Sequence, residues 1–163
     1  MSKDENELAI EEKVYNLLKE KKYKISCAES CTGGLLAATL INVAGISEVF
    51  GEGIVTYSND AKRHYLGVKK KTLKKYGAVS KQTAKEMVVG AAKKAKTQVA
   101  ISTTGIAGPD GGTDKKPVGL VYIGIYVDGE TTVKEYVFEG DRQSVRTQVV
   151  DKALNLLKKR LKK

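Results

Sequence analysis

Apolar residues along this chain recur at helical spacing, then alternate at strand spacing, and the period switches several times. Leu8, Ile10, Val14, Leu17 and Leu18 fall on one helical face and predict an amphipathic helix ending near Lys22. A strand-like run from Lys24 to Ala28 follows, then a helical pattern from about Thr32 to Val43 that stops before Gly45. Phe50 to Tyr57 reads as a second strand. Asn59 to Leu66 and Lys70 to Tyr76 read as short helices closed by Gly67 and Gly77. Ser80 with Thr83 opens a longer helix to about Lys94, with Ala84, Met87, Val88 and Ala91 on one face. Gln98 to Thr103 is a third strand. From Val118 to Val127 the spacing puts Val121, Ile123, Ile125 and Val127 on one face of a long strand. Asp128-Gly129 is a hairpin signal leading into Thr131 to Phe138. Asp141 can cap a last helix to about Leu161, with Val145, Val149, Ala153, Leu156 and Leu157 as its apolar positions.

Strands alternating with helices predict an α/β fold, a sheet with helices on both faces. The Asp-Gly hairpin adds an antiparallel strand, so the sheet is expected to be mixed, with about five strands. No linker or internal repeat interrupts the pattern, and residues 1–163 read as a single domain. In such sheets ligands bind outside the carboxyl ends of the strands. Three distinctive segments follow predicted strands: Ala28-Glu29-Ser30-Cys31-Thr32-Gly33-Gly34, Tyr57-Ser58-Asn59-Asp60-Ala61-Lys62, and the Gly-rich stretch from Thr103 to Gly112. They can converge on one edge.

Composition narrows the class. Hydrophobic residues make up 41% of 163 residues, which suits a globular core. The net charge of +10 raises the question of phosphate binding, but the excess lies in lysine runs such as Lys69 to Lys71 and Lys158 to Lys163. Those runs read as solvated helix faces and a tail. No motif of the standard nucleic-acid modules accompanies them, so nucleic acid is not the expected partner. Cys27 and Cys31 stand four apart with only one His in the chain, His64, which argues against zinc. Two cysteines and a charged start, Lys3 to Glu12, suggest a reduced cytoplasmic setting and no leader. No apolar run approaches the ~20 residues that cross a bilayer.

Ser30 lies between a strand end and a helix start, among backbone N–H groups that suit a nucleophile or a bound anion. A serine hydroxyl needs a base. His64 is not obviously placed for it, whereas Lys62 follows the second strand and stands outside the lysine runs. A lysine made neutral by burial can serve, and Ser–Lys pairs are a known variant of nucleophilic catalysis. A capping serine and a surface lysine explain the same residues as well. The four glycines between Gly105 and Gly112 let a backbone approach a ligand, where it could line an oxyanion hole or hold a ribose phosphate, or make a surface loop. Arg142 and Arg146, one turn apart near a helix start, fit either a phosphate site or an ion-pair face.

Taken together, and in this order, these segments resemble the CinA C-terminal domain family, the nicotinamide-nucleotide amidases, over about Glu7 to Leu161. Val55-Thr56 before the Tyr57 segment, Leu66-Gly67-Val68, Gly77-Ala78-Val79-Ser80, Lys116-Pro117-Val118-Gly119, and Gly140-Asp141-Arg142 with Val145-Arg146 carry it further. The resemblance implies a three-layer α/β/α sandwich and hydrolysis of the carboxamide of nicotinamide mononucleotide to nicotinic acid mononucleotide and ammonia. It implies Ser30 as nucleophile, Lys62 as general base and Tyr57 as an assisting group. Thr32, Gly33, Thr104 and Gly105 would contact substrate, and Arg142 or Arg146 the 5′-phosphate. No metal or organic cofactor is implied, and the expected assembly is a homo-oligomer, a dimer. With only a helix before the first strand, the chain resembles the stand-alone form, without the pyrophosphatase activity of fused members. The competing expectation is a non-catalytic nucleotide- or partner-binding module linked to competence or DNA damage.

Overall fold

The computed structural model describes residues 4–163; residues 1–3, the start of the charged amino-terminal stretch, lie outside the described range. A five-stranded sheet runs in the order β2-β1-β3-β4-β5. Its strands are β1 (Ile25–Glu29), β2 (Phe50–Val55), β3 (Val99–Gly105), β4 (Leu120–Val127) and β5 (Glu130–Val137). β1 is parallel to both β2 and β3, while β3–β4 and β4–β5 are antiparallel, so the sheet is mixed. The turn from β4 to β5 is the expected hairpin. Asp128 and Gly129 take φ of +48° and +91°, the left-handed pair that a two-residue turn requires.

Helices cover both faces and make three layers. On one face lie α1 (Ile10–Lys21), α2 (Leu35–Leu40) and α6 (Arg142–Leu161). Val14 and Leu18 of α1, Leu36 and Leu40 of α2, and Val149, Leu154 and Leu157 of α6 pack on Ile25, Cys27, Val99 and Ile101. Val121, Ile123 and Ile125 join them, as the alternation in β4 predicts. On the other face lie α3 (Asn59–Leu66), α4 (Lys70–Tyr76) and α5 (Lys81–Ala95). Met87, Val88 and Ala91 of α5 sit there against Ala28 and Ala100. Small residues let this layer come close. A Cβ on Gly90 of α5 would stand 2.0 Å from the Leu66 carbonyl oxygen, so a side chain there would drive α5 off the end of α3.

The second helix is shorter than its apolar pattern suggests. Gly33 and Gly34 take φ of +57° and +101°, so residues 31–34 form a turn and helix begins only at Leu35. At the other end Asn42 and Val43 donate to Thr39 and Leu40, three residues back, and the α-helical ladder stops. The second strand ends at Val55 rather than Tyr57, and the third continues past Thr103 to Gly105. Because β1, β2 and β3 are mutually parallel, the segments after Glu29, Val55 and Gly105 all leave from one sheet edge. No helix among the described residues is long and apolar enough to cross a membrane.

Candidate active site

Ser30 is the first residue beyond β1. Its N–H donates to the Thr103 carbonyl at 3.0 Å, which prolongs the β1–β3 ladder by one bond, and its carbonyl accepts from Gly33 N–H at 3.1 Å. Lys62 arrives from α3, which starts because the Ser58 hydroxyl caps the Ala61 N–H at 3.0 Å. One turn into the helix, the lysine points back toward the sheet edge. Its Nζ lies 3.0 Å from Ser30 Oγ and 2.8 Å from the Thr56 carbonyl oxygen.

Lys62 is only 1% exposed, and no carboxylate among the described residues ion-pairs with it. Burial therefore holds its amine below the ordinary value of 10.5. A neutral amine has two N–H groups and one lone pair. One N–H satisfies Thr56, and the lone pair is free to accept the Ser30 O–H. Cys31, beside the serine, goes the other way: burial pushes its thiol up to about 12, so it stays protonated near neutrality and is no rival nucleophile.

Ser30, Lys62, Cys31, Tyr57, Thr104, Gly105 and Arg142 line a cavity of about 310 Å³, together with Ala78 and the loop from Ile106 to Gly111. Thr104 is nearly closed off, because its hydroxyl donates to the Ala78 carbonyl at 2.8 Å. Tyr57 is exposed at the mouth. Its hydroxyl accepts from Arg142 at 3.0 Å, and the same guanidinium donates to the Gly108 carbonyl at 2.8 Å. Arg142 thus ties the segment after β2 to the Gly-rich loop after β3.

Thr32, Gly33 and Arg146 are not among the cavity residues. Thr32 is fully buried, and its hydroxyl donates to Glu29 at 2.6 Å and contacts the Thr103 hydroxyl at 2.8 Å. Gly33 supplies the left-handed turn. Arg146 donates to the carbonyls of Cys31 and Thr32 at 3.1 and 2.8 Å, so it grips the nucleophile turn from behind. The geometry therefore separates two arginines that sequence spacing left equivalent.

Glu29 is the residue whose role sequence reasoning missed. It is fully buried directly before Ser30, and its carboxylate accepts from the N–H groups of Leu36 and Ala37 at 2.8 and 3.1 Å as well as from Thr32. Thus the free donors at the start of α2 are taken by Glu29 and are not offered to a ligand. The available signal was an acidic residue ending a strand buried at every position, just ahead of a helix with no Ser, Thr, Asp or Asn at its cap position, Gly34.

These features define an α/β/α protein with a buried serine–lysine contact at the carboxyl edge of its parallel strands. The chain belongs to the CinA C-terminal domain family, whose model matches residues 7–161. It is 58% identical over 159 residues to a competence-damage inducible protein of Clostridium perfringens, covering 98% of this chain and 39% of that protein. It is 55% identical over 163 residues to one from Clostridioides difficile, covering 100% of this chain and again 39% of the relative. The chain thus spans about two fifths of the length of these relatives. Among solved structures, the competence/damage inducible protein of Agrobacterium tumefaciens superposes with a TM-score of 0.88 at 42% identity, covering 94% of this chain and 96% of that one. The competence damage-inducible protein A of Klebsiella pneumoniae gives 0.91 at 37% identity, covering 93% and 94%.

Proposed function

We propose that this chain is an amidohydrolase acting on the carboxamide of nicotinamide mononucleotide. The observation that carries the reading is the 3.0 Å contact between the buried Lys62 amine and Ser30 Oγ, opening into a cavity. In the forward step Lys62 Nζ takes the hydroxyl proton as Ser30 Oγ bonds to the amide carbon. The proton then passes to the leaving nitrogen, the C–N bond breaks and ammonia departs. Water attacks the resulting ester, Lys62 takes its proton, and that proton returns to Ser30 Oγ as the acid is released. The net change is amide plus water to acid plus ammonia, with no redox step.

The rest of the cavity suits a nucleotide. Arg142 and the loop from Gly108 to Gly111 offer a cation and glycine-rich backbone at its rim. Tyr57, held by Arg142 at the cavity mouth, would border a bound ring. The test is incubation of the purified chain with nicotinamide mononucleotide and identification of both products. Stoichiometric ammonia and nicotinic acid mononucleotide support the reading; unchanged substrate rejects it.

The names of the relatives, which speak of competence and damage, favour a second reading: a module that binds a nucleotide or partner without turning it over. Tight nucleotide binding without ammonia release would select it. A homodimer, checked by sedimentation, belongs to either reading.

A further inference from the structure

An oxyanion forms when a serine adds to a carboxamide, and something must meet it. The Ser30 N–H is already given to the Thr103 carbonyl, and Lys62 Nζ is held by Ser30 Oγ and the Thr56 carbonyl. The sheet itself supplies a donor. Along β3 the N–H groups of alternate residues point to β1 and to β4. Val99 N–H donates to Lys24 and the Thr103 carbonyl accepts from Ser30, so the odd-numbered residues face β1. Ile106 N–H donates to the Leu120 carbonyl, so the even-numbered ones face β4. Gly105 therefore aims its N–H at the β1 side.

The next rung of that parallel ladder would run from Gly105 N–H to the Ser30 carbonyl. It is not made. The chain turns away at Ser30, and the Ser30 carbonyl accepts from Gly33 N–H instead, at 3.1 Å. Gly105 N–H is left without a partner among the described residues, at the ladder position facing the nucleophile. Both residues line the same cavity. The absence of a side chain fits this position: a Cβ on Gly105 would meet Val121 Cγ2 at 2.5 Å and the Leu120 carbonyl oxygen at 2.7 Å, and would displace the strand end.

We infer that the Gly105 backbone N–H, released by the missing last rung between β1 and β3, is an oxyanion donor for addition to Ser30. This rests on the amidase chemistry above but not on the identity of its substrate. A preorganised N–H in a closed site acts on the charge that develops in the transition state and adds little to ground-state binding.

The experiment replaces the Gly105 amide by an ester, with glycolic acid at position 105, and removes that one N–H. A matching ester at position 106 removes the N–H that donates to Leu120. Two readouts are taken: kcat and KM for amide hydrolysis, and the rate at which a fluorophosphonate labels Ser30. In labelling, Ser30 Oγ bonds to phosphorus, fluoride leaves, Lys62 takes the proton, and the phosphoryl oxygen needs the same donor. The ester at 105 should lower kcat and the labelling rate by on the order of 10²-fold, with KM and Tm nearly unchanged. The ester at 106 should lower Tm, since it cuts a ladder bond. Labelling by the ester at 105 within about threefold of the unmodified chain overturns the inference, as does an unmodified chain whose Ser30 is not labelled. If labelling depends on the 105 N–H while nicotinamide mononucleotide stays intact, the donor assignment stands and the substrate reading fails.

Discussion

Lys62 Nζ sits 3.0 Å from Ser30 Oγ, and its second hydrogen bond, 2.8 Å long, goes to the Thr56 carbonyl. The lysine is therefore fixed at both contacts without a carboxylate to hold its charge. That arrangement separates it from the many lysines on this surface, whose amines reach water.

Ser30→Ala removes the nucleophile and leaves the backbone bonds of the turn in place. Amide hydrolysis should fall by roughly 10⁴–10⁶-fold, as for other lost nucleophiles. Tm should move by only a few degrees, because the lost contact is a single hydroxyl. Ammonia release near the wild-type rate would remove Ser30 from the mechanism.

Activity should rise with pH as Lys62 loses its proton, with a midpoint below 10.5 because burial lowers its pKa. The same shift fixes the sign for stability. Between the lowered folded value and the ordinary 10.5 the unfolded chain binds more protons than the folded one, so the group's contribution improves as pH rises. Lys62→Met should be inactive at every pH. Its Tm, relative to wild type, should be highest near neutrality and decline toward pH 10.5. A wild-type rate that falls across this window would reject a neutral lysine base.

Glu29→Ala strips the acceptor from three groups: Leu36 N–H, Ala37 N–H and Thr32 O–H. The Thr32 hydroxyl keeps its Thr103 partner, so two buried N–H groups are left bare, and at about 1–3 kcal/mol each the loss is at least about 2 kcal/mol. With roughly 2–4 °C per kcal/mol at this chain length, Tm should drop by about 4–8 °C or more. Glu29→Gln keeps one acceptor oxygen but turns an NH₂ toward donors, and should fall between the two. Thermal melts decide it; an unchanged Tm for the alanine variant would mean that α2 does not depend on the carboxylate.

The arginines should part company. Arg142→Ala should reduce kcat/KM for nicotinamide mononucleotide by about 10²-fold or more, and for the nucleoside lacking the phosphate much less. Arg146→Ala frees the carbonyls of Cys31 and Thr32 and should harm both substrates equally, with a lower Tm. Comparing the two substrates across both variants checks this. Equal losses for Arg142→Ala would place the phosphate elsewhere along the cavity.

The sequence by itself determined the elements, because their signals are local. The Asp128-Gly129 turn, the Ser80 cap, the Gly67 stop and the alternation from Val121 to Val127 act within a few residues and reappear in the structure. The mixed sheet followed from the same order of strands, and the glycine-rich joints marked the edge where the Ser30 cavity lies. What the tertiary structure decided was every matter resting on contacts between distant segments. Ser30 and Lys62 are 32 residues apart, and only the parallel pairing of β1 with β2 brings Lys62 into hydrogen-bonding range. Arg142 and Arg146 share a helix face, yet one reaches across to Tyr57 and Gly108 while the other closes on the Ser30 turn. Glu29 looked like one more residue in a motif until α2 folded over it. A side chain's type is written in the sequence, but its burial and its partners are set by whatever the rest of the chain packs against it.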